Sequence, residues 1–496
     1  MKEGTKDRSL ARTVFGGTGL IAAAGGVNKL FSLVSAPILT AALGPAPYGI
    51  VALLSTLTAL ATTVALLGVD QSYTRFFFSG IPEEGAAVER FCWRFSLVLA
   101  FAVSLAAGAG WWLWSARMGL PQSLAILVTA GVLLAVGNSM AITRQRLRGA
   151  YRRIAVSIVA AGGAGAALAI VLALFWRRDA WALLLGYAGG IALGILVAGL
   201  PPRETVRRAS GLSRPYRLEI LRLGAAGAVT APMFWLMNSA DRWIIGMWQG
   251  QDPLGVYAFA TNVGLVGMMV NSAVTLTWFP EMARSFEASG GGSRPQIGRL
   301  WSRLVAVLLV AWLAVAASGG DVIRLLADPR FHEGASYVPW LAGGTFFYGI
   351  SLLANTGLVL RKDMTPAIAW WVLGAAGNVG LNVALVPSMG AIGAAVSACL
   401  SFAFIASGVM WSAQGRFPLL IPWGRLASAA CLGIVAGIVM SPPWAGSAAL
   451  SLCLKFPLGL ACGIGIMRVV APDWVDRLLA GEFTRMSRGD SPPAKE

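Results

Sequence analysis

Asn238-Ser239-Ala240-Asp241-Arg242-Trp243-Ile244-Ile245-Gly246 sets an acid and a base side by side inside an apolar run. Apolar residues flank the pair on both sides, from Leu218 to Trp248. That length suits one membrane-crossing helix, since a bilayer core takes about 20 mostly apolar residues. A charge at the bilayer centre costs at least ~2.5–3.5 kcal/mol. An ionisable pair at that depth is therefore a functional site or a structural tie between helices, and both readings stand at this point.

The remainder of the chain is of the same kind. Its 496 residues are 57% hydrophobic and only 12% charged, with a mean hydropathy of +0.70. Soluble domains carry about 25% charged residues, so the expected fold class is an all-α, polytopic integral membrane protein. Spans follow one another from residues 14–43 to 446–469 and number about fourteen. The run 254–280 directly follows the Asp241 span, and Ser441-Pro442-Pro443 parts the last two. The long first run reads as an uncleaved helix, because it exceeds the apolar core of a signal peptide.

The formal charge of +17 arises from 39 basic and 22 acidic residues. In a soluble chain such an excess would suggest nucleic acid; here its distribution gives another reason. With the N-terminus placed inside, thirty-one of the 39 basic residues fall on cytoplasmic tails and loops and five on the opposite face. That asymmetry follows the positive-inside rule and puts both termini in the cytoplasm. Nucleic acid is excluded as a partner.

Several chemistries find no residues to carry them. The five cysteines and the single histidine, His332, lack metal-ligand spacing, and no phosphate-binding G-x-x-x-x-G-K-[ST] string occurs. No cofactor and no catalytic residue is expected, so the chain reads as a non-enzyme. The longest outer loop, about Asp321–Pro339, carries Asp321, Arg324, Asp328, Arg330, His332 and Glu333. It reads as a solvated cap.

The chain repeats itself. Pro47-Tyr48-Gly49-Ile50-Val51-Ala52-Leu53 matches Pro253-Leu254-Gly255-Val256-Tyr257-Ala258-Phe259, 206 residues later. Asn138 and Arg144 likewise match Asn355 and Arg361. Six helices separate the copies, so they share an orientation and are related by an axis along the membrane normal. The expected domains are an N-terminal six-helix lobe (1–212), a C-terminal six-helix lobe (213–412), an appended helix pair (413–470) and a polar cytoplasmic tail (471–496).

Three basic residues remain at membrane depth: Lys29, Arg242 and Lys455, against one deep carboxylate, Asp241. Such a cationic cavity suits an anionic substrate, because cation–phosphate pairing is strong in a low dielectric. Asp241 is expected to hold Arg242 until substrate replaces it. Lys455 lies outside the duplicated core, and a snorkelling or local pairing role stays open for it. Asn28, Asn238, Asn262, Asn271, Asn378 and Asn382 could bond sugar hydroxyls or neighbouring helices. Trp235 and Trp278 are candidates to face the cavity and stack on sugars.

Leu43–Leu53 (L-G-P-A-P-Y-G-I-V-A-L), Leu67–Phe78 (L-G-V-D-Q-S-Y-T-R-F-F-F) and Asp241–Ala258 (D-R-W-I-I-G followed by P-L-G-V-Y-A) together resemble one family. It is the polysaccharide-transporter branch of the multidrug/oligosaccharidyl-lipid/polysaccharide (MOP) superfamily. Pro387–Ala395 fits the same pattern. The resemblance implies a MATE-like flippase fold, moving undecaprenyl-diphosphate-linked oligosaccharide, O-antigen or exopolysaccharide repeats, across the bacterial inner membrane by alternating access. It adds Arg75 to the candidate transport residues Lys29, Asp241, Arg242, Asn28, Asn238 and Lys455. Implied partners are the lipid-linked substrate, membrane lipids, and the glycan polymerase and glycosyltransferases of the pathway. The rivals are a multidrug exporter of the same fold, a lipid II flippase, and a membrane polysaccharide polymerase or ligase.

Overall fold

The computed structural model describes residues 3–78, 82–201, 211–228, 231–288, 294–361 and 363–479. The expected loop glycines Gly290–Gly292, most of the basic loop 202–210 and the tail from residue 480 lie outside them. Within them the chain is helical without a strand, and thirteen helices are long and apolar enough to cross a membrane. The expected span 218–248 is described in two stretches, on either side of residues 229 and 230.

Two compact units divide the chain. The first covers Met1–Gly255 with Leu326–Asp328. Its helices are α1 (Glu3–Leu43), α2 (Pro45–Leu66), α3 (Val69–Phe76), α4 (Pro82–Arg117), α5 (Ala125–Leu147), α6 (Tyr151–Phe175), α7 (Ala180–Ala198), α8 (Arg214–Ala228) and α9 (Ala231–Trp248). The helix α10 (Gln251–Gly264) crosses the division.

The second unit covers Val256–Leu325 with Pro329–Glu496. It holds α11 (Gly267–Ala288), α12 (Arg294–Leu326), α13 (Val338–Leu360), α14 (Thr365–Met389) and α15 (Ala391–Arg416). After these come the pair α16 (Trp423–Met440) and α17 (Ala448–Val470) and the short α18 (Pro472–Leu479). The break expected at Ser441-Pro442-Pro443 parts α16 from α17.

Small residues set the packing, as expected for helices that meet without a hydrophobic drive between them. Gly186 and Gly190 of α7 lie against the backbone of α6 at Ala169 and Gly165. In the first unit α2 and α10 cross at their first turns. A Cβ on Gly49 would strike the Gln251 carbonyl oxygen, and one on Gly255 would strike that of Pro45. Residues 45 and 49 correspond to 251 and 255 at the 206-residue spacing of the repeat, so the two contacts are reciprocal. The glycines that precede these helices, Gly44 (φ 74°) and Gly250 (φ 88°), also correspond and share a left-handed backbone. A two-fold relation between duplicated segments produces this pattern.

The helix α2 ends in a tight turn. Leu67 (φ 45°) is the one non-glycine residue with positive φ among the described residues, and Gly68 (φ 68°) follows it. The turn lets α3 fold back against α8: Gly68 meets the Gly224 backbone, and Ser72 Oγ donates to the Ile220 carbonyl at 2.8 Å.

Two sequence expectations change here. Arg144 is not a loop residue. It lies in the last turn of α5, buried, with its Nε 2.7 Å from Glu89 Oε1 of α4. The segment after α12 is no solvated cap. Asp321 is fully buried in α12, and residues Pro329–Ser336 form a 3-10 helix with Phe331 buried against Phe259. Phe331 and the small residues Gly334 and Ala335 bury this segment despite its charges.

Candidate functional site

The helix α9 carries the acid–base pair and packs on α2 through two indoles. Trp235 Nε1 donates to the Thr56 carbonyl at 2.8 Å, and Trp243 Nε1 donates to Thr56 Oγ1 at 3.0 Å. Thr56 is buried and passes its own proton back to the Leu53 carbonyl. Trp243 also stacks obliquely on Trp114 of α4, with ring centroids 4.9 Å apart. Both indoles therefore serve helix contacts. Trp235, expected to face a cavity, is half-buried with its N–H committed to α2.

Between these two tryptophans sit Asp241 and Arg242. Asp241 is buried, 7% exposed, and its Oδ1 accepts from the Arg242 backbone N–H at 2.8 Å. The carboxylate thus caps backbone within its own helix. Arg242 is half-buried, and its Nε is a buried donor without a hydrogen-bond partner among the described residues. A buried donor left unmet costs about 1–3 kcal/mol, and an incoming anion would repay that cost.

Lys29 lies in the span Gly19–Leu43 of α1 and is half-buried. Its ammonium has no ion-pair or hydrogen-bond partner among the described residues. Asn28 beside it presses its side chain on Gly162 of α6, where no Cβ could fit. That places Asn28 in a helix interface. Asn238, half-buried, sits one turn before Arg242 on α9. Helices α1 and α9 both pack on α2 in the first unit, so Lys29 and Arg242 share a scaffold helix.

The structure sets two expected residues apart from this group. Arg75 is exposed at the end of α3, outside any span. Lys455, on α17, is buried in the second unit with Asp321 of α12. Its Nζ lies 2.5 Å from Asp321 Oδ2, which also accepts from Ser451 Oγ at 2.9 Å. Arg324 approaches the other oxygen at 3.4 Å. Local pairing, one of the readings open for Lys455 beside snorkelling and a transport role, is the contact the structure shows. Asp241 is consequently not the one carboxylate deep in a span. Asp321 is expected from the sequence in an outer loop, whereas α12 continues through it and Gly319 packs closely on α13 at Val338.

Of the other polar candidates, Asn271 donates to the Thr345 carbonyl at 2.8 Å and Asn378 to Ser401 Oγ at 3.3 Å. Asn382 bonds Asn378, and Asn262 bonds the Ala258 carbonyl of its own helix. Trp278 is buried and donates to Thr356 Oγ1 at 2.7 Å. All of these tie protein to protein, so the expected sugar-facing role of Trp278 fails. No group of three or more metal-ligating side chains occurs among the described residues.

The fold has solved counterparts. The lipid II flippase MurJ in an inward closed conformation superposes with a TM-score of 0.71 at 9% identity, covering 92% of this chain and 99% of that one. An inward-facing multidrug resistance MATE family transporter of the MOP superfamily gives 0.60 at 15% identity, covering 79% and 94%. These likenesses define the class: an all-α polytopic membrane protein of MATE and MurJ architecture. The family model described as polysaccharide biosynthesis protein matches residues 14–286. The chain belongs to that family, and the matched region contains Lys29, Arg75, Asp241 and Arg242.

Two curated relatives are similar over part of their length. The probable low-salt glycan biosynthesis flippase Agl15 of Haloferax volcanii is 27% identical over 164 residues, 32% of this chain and 34% of that protein. The probable lipid II flippase MurJ of Rhizobium meliloti is 29% identical over 332 residues, 59% and 57% respectively. The chain thus spans about a third and just over half of these relatives.

Proposed function

We propose that the chain is a flippase that carries undecaprenyl-diphosphate-linked oligosaccharide, an O-antigen or exopolysaccharide repeat, across the bacterial inner membrane by alternating access. The observation that carries this reading is Arg242, a half-buried cation with an unmet Nε donor between two anchored tryptophans. Lys29 supplies a second cation in the first unit, without a partner among the described residues. Two cations suit a diphosphate, and charge-assisted bonds to phosphate are roughly twice as strong as neutral ones. Asp241 holds the start of the Arg242 backbone and sets its resting position. The reading involves no covalent chemistry, and both termini lie in the cytoplasm.

A second reading has its own support, since one relative is described as a probable lipid II flippase. Deleting the gene separates the two. Loss of surface polysaccharide with continued growth supports the oligosaccharide reading. Arrest of peptidoglycan synthesis supports lipid II.

A further inference from the structure

A cavity of about 600 Å³ opens in the second unit where three membrane helices end. Its walls are the first turns of α12, the loop Leu419–Pro422, the start of α16 and the junction of α17 with α18. Among the described residues, the guanidinium groups of Arg299, Arg303 and Arg425 and the carboxylate of Asp473 line it. Arg299 and Arg303 are four residues apart on α12 and share one face. The volume lies within the usual range for small-ligand sites.

The loop wall is built rather than loose. Leu419 N–H donates to Gln414 Oε1 at 2.7 Å, and Gln414 Nε2 donates back to the Leu419 carbonyl at 3.4 Å. Gly298 allows Leu420 to lie directly on α12, where a Cβ would meet the Leu420 carbonyl. Arg294 sits over the Phe417 ring at 5.6 Å. Together these contacts hold the loop against α12, and so fix the spacing of Arg425 from Arg299 and Arg303.

We infer that this cavity binds the phosphodiester headgroup of an anionic membrane lipid. The lipid source follows from the depth of the site. Trp423 is exposed at the start of α16 and packs on the buried Trp301 with ring centroids 6.4 Å apart, at the level where interfacial tryptophans gather. The helix α18 sets Trp474 and Val475 on one side and Asp473 and Asp476 on the other, the division of a helix lying along a membrane surface. The three arginines are also among the basic residues that the charge asymmetry assigns to the cytoplasmic side, where anionic lipid concentrates. This site is in the second unit and does not depend on the transport reading of Arg242.

Native mass spectrometry of the full chain in detergent, titrated with phosphatidylglycerol, phosphatidylcholine or inorganic phosphate, tests it. Phosphatidylglycerol should be retained and phosphatidylcholine should not. The triple variant R299Q/R303Q/R425Q should weaken phosphatidylglycerol binding on the order of a hundredfold, while R177Q/R178Q should leave it unchanged. If the triple variant does not fold, Arg425→Gln alone should weaken binding by about fivefold. Undiminished phosphatidylglycerol binding in these variants overturns the inference. Inorganic phosphate that displaces the lipid at equal concentration overturns the lipid source, showing a soluble-anion site instead.

Discussion

Gly49 and Gly255 sit at reciprocal places of one helix crossing, each closed by the carbonyl that corresponds to the other's neighbour. Inserting a Cβ at either position forces α2 and α10 apart, and overpacking of this kind costs about 1–3 kcal/mol. Gly49→Ala and Gly255→Ala should each lower the melting temperature of the detergent-purified protein. Because one insertion already opens the crossing, the double variant should lose less than the sum of the two. Strict additivity would show that the two contacts are independent.

The buried cluster around Asp321 makes an asymmetric prediction. Removing Lys455 leaves Asp321 with Ser451 and Arg324. Removing Asp321 leaves Lys455 buried with the Ala317 carbonyl. Breaking a buried pair costs about 3–5 kcal/mol when the remaining charge is uncompensated. Asp321→Ala should therefore destabilise more than Lys455→Ala in thermal unfolding, and D321L/K455M should recover most of the loss. The reverse order of the two single variants would contradict the pairing described here.

Asp363 stands outside the membrane spans, and its Oδ2 lies 2.8 Å from Nε of Arg416 at the end of α15. The hydrogen bond from Arg416 holds the Asp363 carboxyl below its ordinary value, with Thr365 adding to the effect. A carboxyl depressed on folding contributes stability that is present above its unfolded pKa and lost as pH falls through the folded one. Melting temperature should fall more steeply on acidification in the native chain than in Asp363→Asn. The difference should be small, since the pair is exposed and screened. Equal pH slopes would remove Asp363 from the acid response.

Much of the fold is legible in the sequence, because apolar run length reports directly on the bilayer. The repeat is legible too, yet its deepest expression is not. Gly44 and Gly250 stand before unlike dipeptides, and only their shared left-handed backbone shows the correspondence. The site is legible in part. Arg242 and Lys29 stand out as charges in apolar runs, and both keep donors unmet by the described residues. Lys455 stands out in the same way, but its partner lies 134 residues away in α12. No local pattern links them, and Asp321 reads from the sequence as an outer-loop residue. Arg144 misleads for a similar reason, since Glu89, its partner, lies 55 residues earlier on another helix. The tryptophans and asparagines show their chemistry in the sequence but not their direction, and the structure turns most of them toward neighbouring helices.

The central claim is that Arg242 receives the phosphate of a lipid-linked glycan. The most direct measurement is surface-polysaccharide assembly in a strain lacking the gene, complemented with the native chain, Arg242→Ala or Arg242→Lys at matched membrane abundance. The account predicts that Arg242→Ala reduces assembly by at least about tenfold, the effect of losing one charge-assisted bond, and that Arg242→Lys restores part of it. Native-level assembly by Arg242→Ala would contradict the account and leave the pair as a structural tie.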